Sequence, residues 1–369
     1  LLSQGYEMHN PWENAANTAT KKSGLKCSGW EMRNAHLPSD IEAKHSETAF
    51  LTNRAMDYIS TRNKDTPWCL HLSYFNPHWP LLAPSPYHKM YNQSDVIGVV
   101  KDEIEMKNPH PVFSAFQQLE YSQNYTDEKK RRHVIPTYMG LISEIDHHIG
   151  RLISFLDTNN LSENTVIIFT SDHGDYLGDH WLGEKDLFHE PSIRIPLIIV
   201  EPKMPINLRG TSEKRMVESV DIVPTIVETM GGSYANNRME GRSLVPLLFG
   251  DSPAWRDTVF AEIDYSDRGA RQVLDKHPYE CRGYMIKNTY WKYIYWEGYR
   301  AQLYDLLNDP NEFNDLAENH DQSERLEDFE KQLFSWLRNR KQRTVVELDE
   351  LYKRSPEADE RAGIIIGRW

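Results

Sequence analysis

The chain has 369 residues, enough for one large domain with a substantial core and a smaller one beside it. Its formal net charge of −13, with 26% charged residues, argues against a general nucleic-acid surface, although a metal ion and one lysine set the local field at an anion site whatever the global balance. No apolar run approaches the roughly 20 residues that span a bilayer, so no membrane span is expected.

Three cysteines, Cys27, Cys69 and Cys281, are widely spaced and give neither a disulfide framework nor a metal-binding spacing. Sequons at Asn92, Asn124 and Asn160 matter only in a secreted chain, and the compartment stays open. The opening LLSQGYEMHN has no initiator Met and no signal-peptide pattern, and it reads as the downstream part of something longer.

Residues 1–45 are polar and irregular, with Trp12 and Trp30 as their large aromatic residues. From Ser46, SETAFLTNRAMDYI places Phe50, Leu51, Ala55, Tyr58 and Ile59 at helical spacing behind a Ser-Glu start, which predicts an amphipathic helix. Residues 68–75, WCLHLSYF, read as a strand that runs into NPHWP. His78 then lies on an extended loop between Pro77 and Trp79-Pro80, where restricted backbone holds an imidazole at little ordering cost. From spacing alone His78 reads equally as a loop histidine without a role. Residues 83–111 are rich in proline and mix charged with aromatic side chains, expected to meet mostly solvent or a neighbouring subunit.

Residues 138–156 predict a strong amphipathic helix with Leu141, Ile142, Ile145, Ile149, Leu152 and Ile153 on one face. His147 and His148 are expected on its charged outer face, because adjacent helical residues point about 100° apart and do not converge on one ion. After a turn at 159–164, residues 165–170 form a β-branched and aromatic run long enough for one buried strand.

Asp172 and His173 follow that strand at its carboxyl end, the edge of an open α/β sheet where ligands bind. A carboxylate and an imidazole there can reach one divalent ion, with Gly174 letting the backbone turn behind them. Taken alone, the pair reads more readily as a turn cap and a solvated histidine. The continuation matters: Gly178, Gly183 and Lys185 come next, then FHEPSIRIPLIIV, whose 196–200 portion predicts a second buried strand. SVDIVPTIVETM at 219–230 predicts a helix with Pro224 near its first turn. This alternation of strands and helices argues a mainly parallel sheet.

Beyond Ser252 the texture changes. Segments 258–263, 283–288, 290–296 and 300–305 are short, aromatic-rich and separated by turn residues, which predicts a small antiparallel sheet. A helix is expected over 323–340 with Leu326, Phe329, Leu333 and Leu337 inward. The chain ends in RAGIIIGRW, an apolar patch on a charged tail that needs a surface to dock on.

In this order, a strand, an Asp-His pair, a glycine-rich loop, a lysine and an Arg-x-Pro-apolar strand resemble the sulfatase family of the alkaline phosphatase superfamily. The SDHG form, with His where typical sulfatases carry Asn, looks most like its phosphonate monoester hydrolase and arylsulfatase branch. Segment 83–111 resembles that branch's pocket-shaping insertion, GRS-L-x-PLL at 241–248 the close of the large domain, and QLYDLLNDPNEFNDLAEN the C-terminal signature of sulfatases.

The resemblance implies an α/β fold, an alkaline-phosphatase-like mainly parallel sheet flanked by helices, plus a small C-terminal antiparallel sheet with a packed helix. It implies residues 1–250 as the downstream part of the catalytic domain, 251–345 as an α+β subdomain, and 346–369 as a tail that joins subunits of a homo-oligomer. The implied activity is hydrolysis of sulfate, phosphonate or phosphate esters, with a small anionic ester as substrate. Asp172 and His173 would help hold a divalent metal ion, Mn, Ca or Zn, with the imidazole favouring Mn or Zn. Lys185 would lie against the ester oxygens, and His78, in the family's Pro-His-x-Pro loop, would be the catalytic acid or base. The family's nucleophile is a formylglycine made from Cys or Ser in a Cys-x-Pro-x-Arg motif. None of the three cysteines has that context, and no first strand ending in paired Asp residues is visible, so half the metal shell and the nucleophile are expected outside this chain. The alternative is a non-catalytic remnant that binds an anion or a partner.

Overall fold

The computed structural model describes residues 1–6, 17–63 and 66–341. Trp12 and the tail at 346–369, on which the expected oligomer rested, lie outside the described residues. The chain forms two compact units: the first takes Leu1–Thr165, His173–Arg194 and Gln272–Leu274, the second Val166–Asp172, Ile195–Arg271 and the residues from Asp275 on. No helix among the described residues is long and apolar enough to cross a membrane.

In the first unit a short antiparallel pair, β1 (Thr18–Thr20) and β2 (Lys26–Ser28), precedes α1 (Glu47–Ser60). Ser46 starts α1 by accepting a hydrogen bond from the Ala49 amide at 3.1 Å, satisfying one of the helix's orphan donors. Of the expected face, Ala55 and Ile59 are buried, joined by Ala49 and Thr52, while Phe50 is 58% exposed and Tyr58 36%. Small residues let α1 approach the long helix it packs on.

Two short helices, α2 (Pro111–Gln117) and α3 (Glu120–Thr126), lead into that long helix, α4 (Glu128–Thr158). It begins well before the expected position and carries Pro136 inside. A mid-helix proline removes one backbone donor and costs about 3 kcal/mol, so the turn before it needs anchoring. Buried Arg131 supplies the anchor, donating from Nε to the Leu177 carbonyl at 2.9 Å and from Nη2 to the Ile97 carbonyl at 3.1 Å. The inward face holds Val134, Ile135, Leu141, Glu144 and His148, with Ile142 and Ile153 exposed. His148 therefore corrects the expectation of an outer-face pair: burial pushes its imidazole down to about 4, and Arg151 Nη1 donates to its Nδ1 at 2.9 Å. Segment 83–111 is likewise less exposed than its composition suggests, with Tyr87, Glu105 and His110 buried. A one-turn helix, α5 (Glu190–Ile193), completes the unit's regular elements.

Residues 68–75 run without a ladder among the described residues, so the expected strand has no partner there. In the second unit β3 (Ile167–Thr170) pairs with β4 (Leu197–Val200), with Ile167 opposite Val200 and Thr170 opposite Leu197. These two strands stand for the expected mainly parallel sheet among the described residues, and they run antiparallel. Two strands cannot cover both of their own faces, and Ile198 and Val200 are at least half exposed. Next come α6 (Ile222–Thr229) and α7 (Val245–Leu248). Fully buried Asp221, ahead of α6, accepts from Arg256 Nη2 at 2.7 Å and from the Arg242 amide at 2.7 Å, tying three segments together.

The C-terminal sheet follows its pattern closely. Strands β5 (Val259–Asp264), β6 (Arg282–Lys287), β7 (Trp291–Trp296) and β8 (Gln302–Asp305) form an antiparallel meander, with a short helix α8 (Gly269–Val273) after β5. Helix α9 (Ser323–Arg338) lays Phe329 and Leu333 onto Ile286, Tyr293 and Leu303, and Trp336 stacks on Phe260 at 4.5 Å. The mixed helix-and-strand chain with a C-terminal antiparallel sheet and packed helix matches that part of the expectation.

Candidate active site

The loop ending in His78 turns tightly, with the His78 amide donating to the Phe75 carbonyl at 3.0 Å across Asn76 and Pro77. His78 Nδ1 lies 2.7 Å from the Trp79 carbonyl oxygen. A carbonyl only accepts, so Nδ1 carries the proton and the lone pair sits on Nε2. Lys185 Nζ meets that nitrogen at 2.7 Å, donating to it across 107 positions of sequence. The ring of His78 also stands edge-on to His173, with centroids 6.2 Å apart. Three of the four residues singled out from sequence thus meet in the first unit.

Lys185 belongs to an irregular segment, 174–192, held by few regular bonds. Gly174 donates to the Ser192 carbonyl at 2.7 Å, and a Cβ at Gly174 would strike the Pro191 carbonyl oxygen, so only glycine fits that approach. Leu177, His180, Trp181 and Glu184 all adopt positive φ, each costing about 1–2 kcal/mol for a residue with a side chain. Buried polar pairs hold this strain in place. His180 Nδ1 lies 2.7 Å from Glu105 Oε1, the His180 ring stacks on His189 at 4.2 Å, and Tyr176 Oη meets His189 Nδ1 at 2.9 Å.

His173 Nδ1 lies 2.8 Å from the Gly174 carbonyl, which again fixes the tautomer and puts the lone pair on Nε2, the form that binds a metal. Asp172 precedes it directly and closes the 166–172 segment of the second unit; Ser171 Oγ lies 3.4 Å from its Oδ1. Among the described residues no group of three or more His, Cys, Asp or Glu side chains is arranged to hold a metal ion. Asp172 and His173 offer two donors, fewer than the four that even zinc takes.

Sequence reasoning missed the acidic surroundings of Lys185. Asp175, Glu184, Tyr121, Tyr125, Met32 and Trp79 line a small cleft with His78 and Lys185. Glu184 Oε2 stands 3.6 Å from Lys185 Nζ, and Tyr121 Oη donates to Asp186 Oδ2 at 2.9 Å. Burial pushes the Asp175 carboxyl up to about 7, against a hydrogen bond from the Leu177 amide that lowers it. The available signal was the run Glu184-Lys185-Asp186, three charges together in a stretch otherwise rich in apolar residues and glycine.

A sulfatase family model matches residues 3–233, and a model of the N-sulphoglucosamine sulphohydrolase C-terminal region matches residues 178–340. A multifunctional alkaline phosphatase superfamily protein, PehA, of Trinickia caryophylli is 33% identical over 340 residues, covering 87% of this chain and 64% of that protein. An arylsulfatase of Clostridium perfringens is 27% identical over 332 residues, covering 86% of this chain and 63% of its own length. Among solved structures, the phosphonate monoester hydrolase of Silicibacter pomeroyi superposes with a TM-score of 0.81 at 25% identity, over 93% of this chain and 68% of that one. The corresponding hydrolase of Agrobacterium radiobacter gives 0.74 at 28% identity, over 82% and 62%. The chain therefore spans just under two thirds of the curated relatives it matches. With the family model running through the His78 loop and on past Lys185, the chain belongs to the sulfatase family of the alkaline phosphatase superfamily.

Proposed function

We propose that this chain contributes binding and proton-handling residues to a metal-dependent hydrolase of sulfate or phosphonate and phosphate esters, with a small anionic ester as substrate. The observation that carries the reading is the 2.7 Å contact between His78 Nε2 and Lys185 Nζ, which joins two residues from distant segments beside His173. The names of the relatives support the same class of ester.

Lys185 neutralises the negative oxygens of the ester, and its field acts strongly where Tyr125, Trp79 and Met32 exclude water. His78 moves a proton at Nε2 to or from the bridging oxygen as the ester bond breaks, while the Trp79 carbonyl keeps Nδ1–H fixed. Asp172 and His173 would contribute two donors to a divalent ion, Mn or Zn in preference to Ca. When bound, such an ion supplies charge neutralisation of the ester oxygens. No residue of this chain is assigned as nucleophile; the formylglycine expected from the family has no matching motif in the 369 residues. A homo-oligomer belongs to the same proposal.

Turnover of an aryl phosphonate monoester and an aryl sulfate by a protein containing this chain tests it. His78→Ala and Lys185→Ala should each lower kcat by about 10²–10⁴ with metal content unchanged, whereas Asp172→Ala should lose metal and activity together. Unchanged turnover in both His78→Ala and Lys185→Ala overturns the assignment.

A further inference from the structure

Helix α4 turns one carboxylate into the interior. Glu144 is fully buried, and its Oε1 has no hydrogen-bond partner. Burying a carboxyl on a helix face where Leu or Met would fit costs several kcal/mol unless something is gained by it. Burial pushes the group up to about 7, against a hydrogen bond from Ser46 that lowers it. It is thus held largely uncharged below neutrality.

Its other oxygen, Oε2, accepts from Asn76 Nδ2 at 3.4 Å. That amide also donates to Thr48 Oγ1 at 3.1 Å. Behind it, Thr52 Oγ1 meets Tyr74 Oη at 2.8 Å while donating to the Thr48 carbonyl at 2.7 Å. The cluster draws on the first turns of α1, the middle of α4, and the chain at 74–76. All of these lie in the first unit. Asn76 stands two residues before His78, and the intervening Pro77 has a ring that fixes φ, so a displacement of Asn76 is carried to the imidazole rather than absorbed.

We propose that Glu144 is a positioning residue for His78: through the Asn76 amide it fixes the loop that aims the imidazole at Lys185. The inference rests on His78 having the role given above, and its test separates the two. The ring nitrogens of His78, one of 15 histidines, are followed by NMR in histidine-labelled protein and assigned by the signal lost in His78→Ala. Glu144→Leu and Asn76→Ala should each shift and broaden the His78 signals, and lower kcat about tenfold to a hundredfold with KM little changed, the cost of an imidazole displaced by about 1 Å. Glu144→Gln, whose amide oxygen still accepts from Asn76, should keep the parent signals and turnover. A purely structural carboxyl would change thermal stability and leave those signals where they are. Unmoved His78 signals in both Glu144→Leu and Asn76→Ala, or a Glu144→Gln variant that behaves like Glu144→Leu, overturn the proposal. If Glu144→Leu does not fold, Asn76→Ala and Glu144→Gln still decide it. Full turnover in His78→Ala defeats the catalytic reading while leaving the NMR result to judge the positioning.

Discussion

The C-terminal sheet and the 174–192 segment are two solutions to holding a chain in place. Strands β5 to β8 and α9 are fixed by repeating backbone ladders and an apolar face, with Ile286, Leu303 and Leu333 fully buried. The 174–192 segment has one turn of helix, four non-glycine residues at positive φ, and buried Glu105–His180 and Tyr176–His189 contacts where the sheet has a hydrophobic layer. An apolar layer spreads the work over many small contacts and fails as a whole. Polar pairs concentrate it, because a buried partner left alone costs its full desolvation.

The contrast can be broken at several strengths. The largest effect expected is where α9 packs on the sheet: Leu333→Ala should cost about 2–5 kcal/mol in denaturant unfolding, read as a fall in midpoint at constant m. Next is pH. The Glu144 carboxyl is raised to about 7 from an ordinary 4.5. Its contribution is fully present below pH 4.5, where it is protonated folded or unfolded. It is lost as pH rises towards 7, because the unfolded chain releases the proton first. Stability should fall by about 3 kcal/mol across that window, and Glu144→Gln should flatten that part of the profile. An unchanged profile in the variant removes Glu144 as the cause. Smaller still, Glu105→Ala should cost about 1–3 kcal/mol by removing the carboxylate that meets buried His180 Nδ1. Its effect should be local, read as faster amide exchange in 174–190 while β5 to β8 keep their protection. Equal acceleration in both places would show that the two regions do not differ as argued.

What the amino-acid sequence made legible follows the same division. The four C-terminal strands and α9 were placed within a residue or two, because aromatic-rich runs between turn residues and an apolar helix face repeat at known periods. Periodicity failed where polar groups or small residues face inward. On α1 periodicity found buried Ala55 and Ile59 but put Phe50 and Tyr58 inward in place of Ala49 and Thr52, and α4 buries Glu144 and His148 while exposing Ile142. His78, His173 and Lys185 were legible through the motif, and the structure brings them together. Glu184 was signalled only by its place in the Glu184-Lys185-Asp186 run, and Asp175 not at all, since nothing in a short glycine-rich stretch tells which lone carboxylate is buried.

The hydrogen bond between His78 and Lys185 sets an order of events. An imidazole with its proton on Nδ1 has a single lone pair, and Lys185 occupies it. If His78 is the proton carrier proposed above, Lys185 has to release Nε2 before that nitrogen can accept a proton. On that reading, an anion that draws the ammonium away would free the imidazole in the same movement. Adding inorganic phosphate or vanadate should move the His78 Nε2 resonance, and a neutral ester should leave it still.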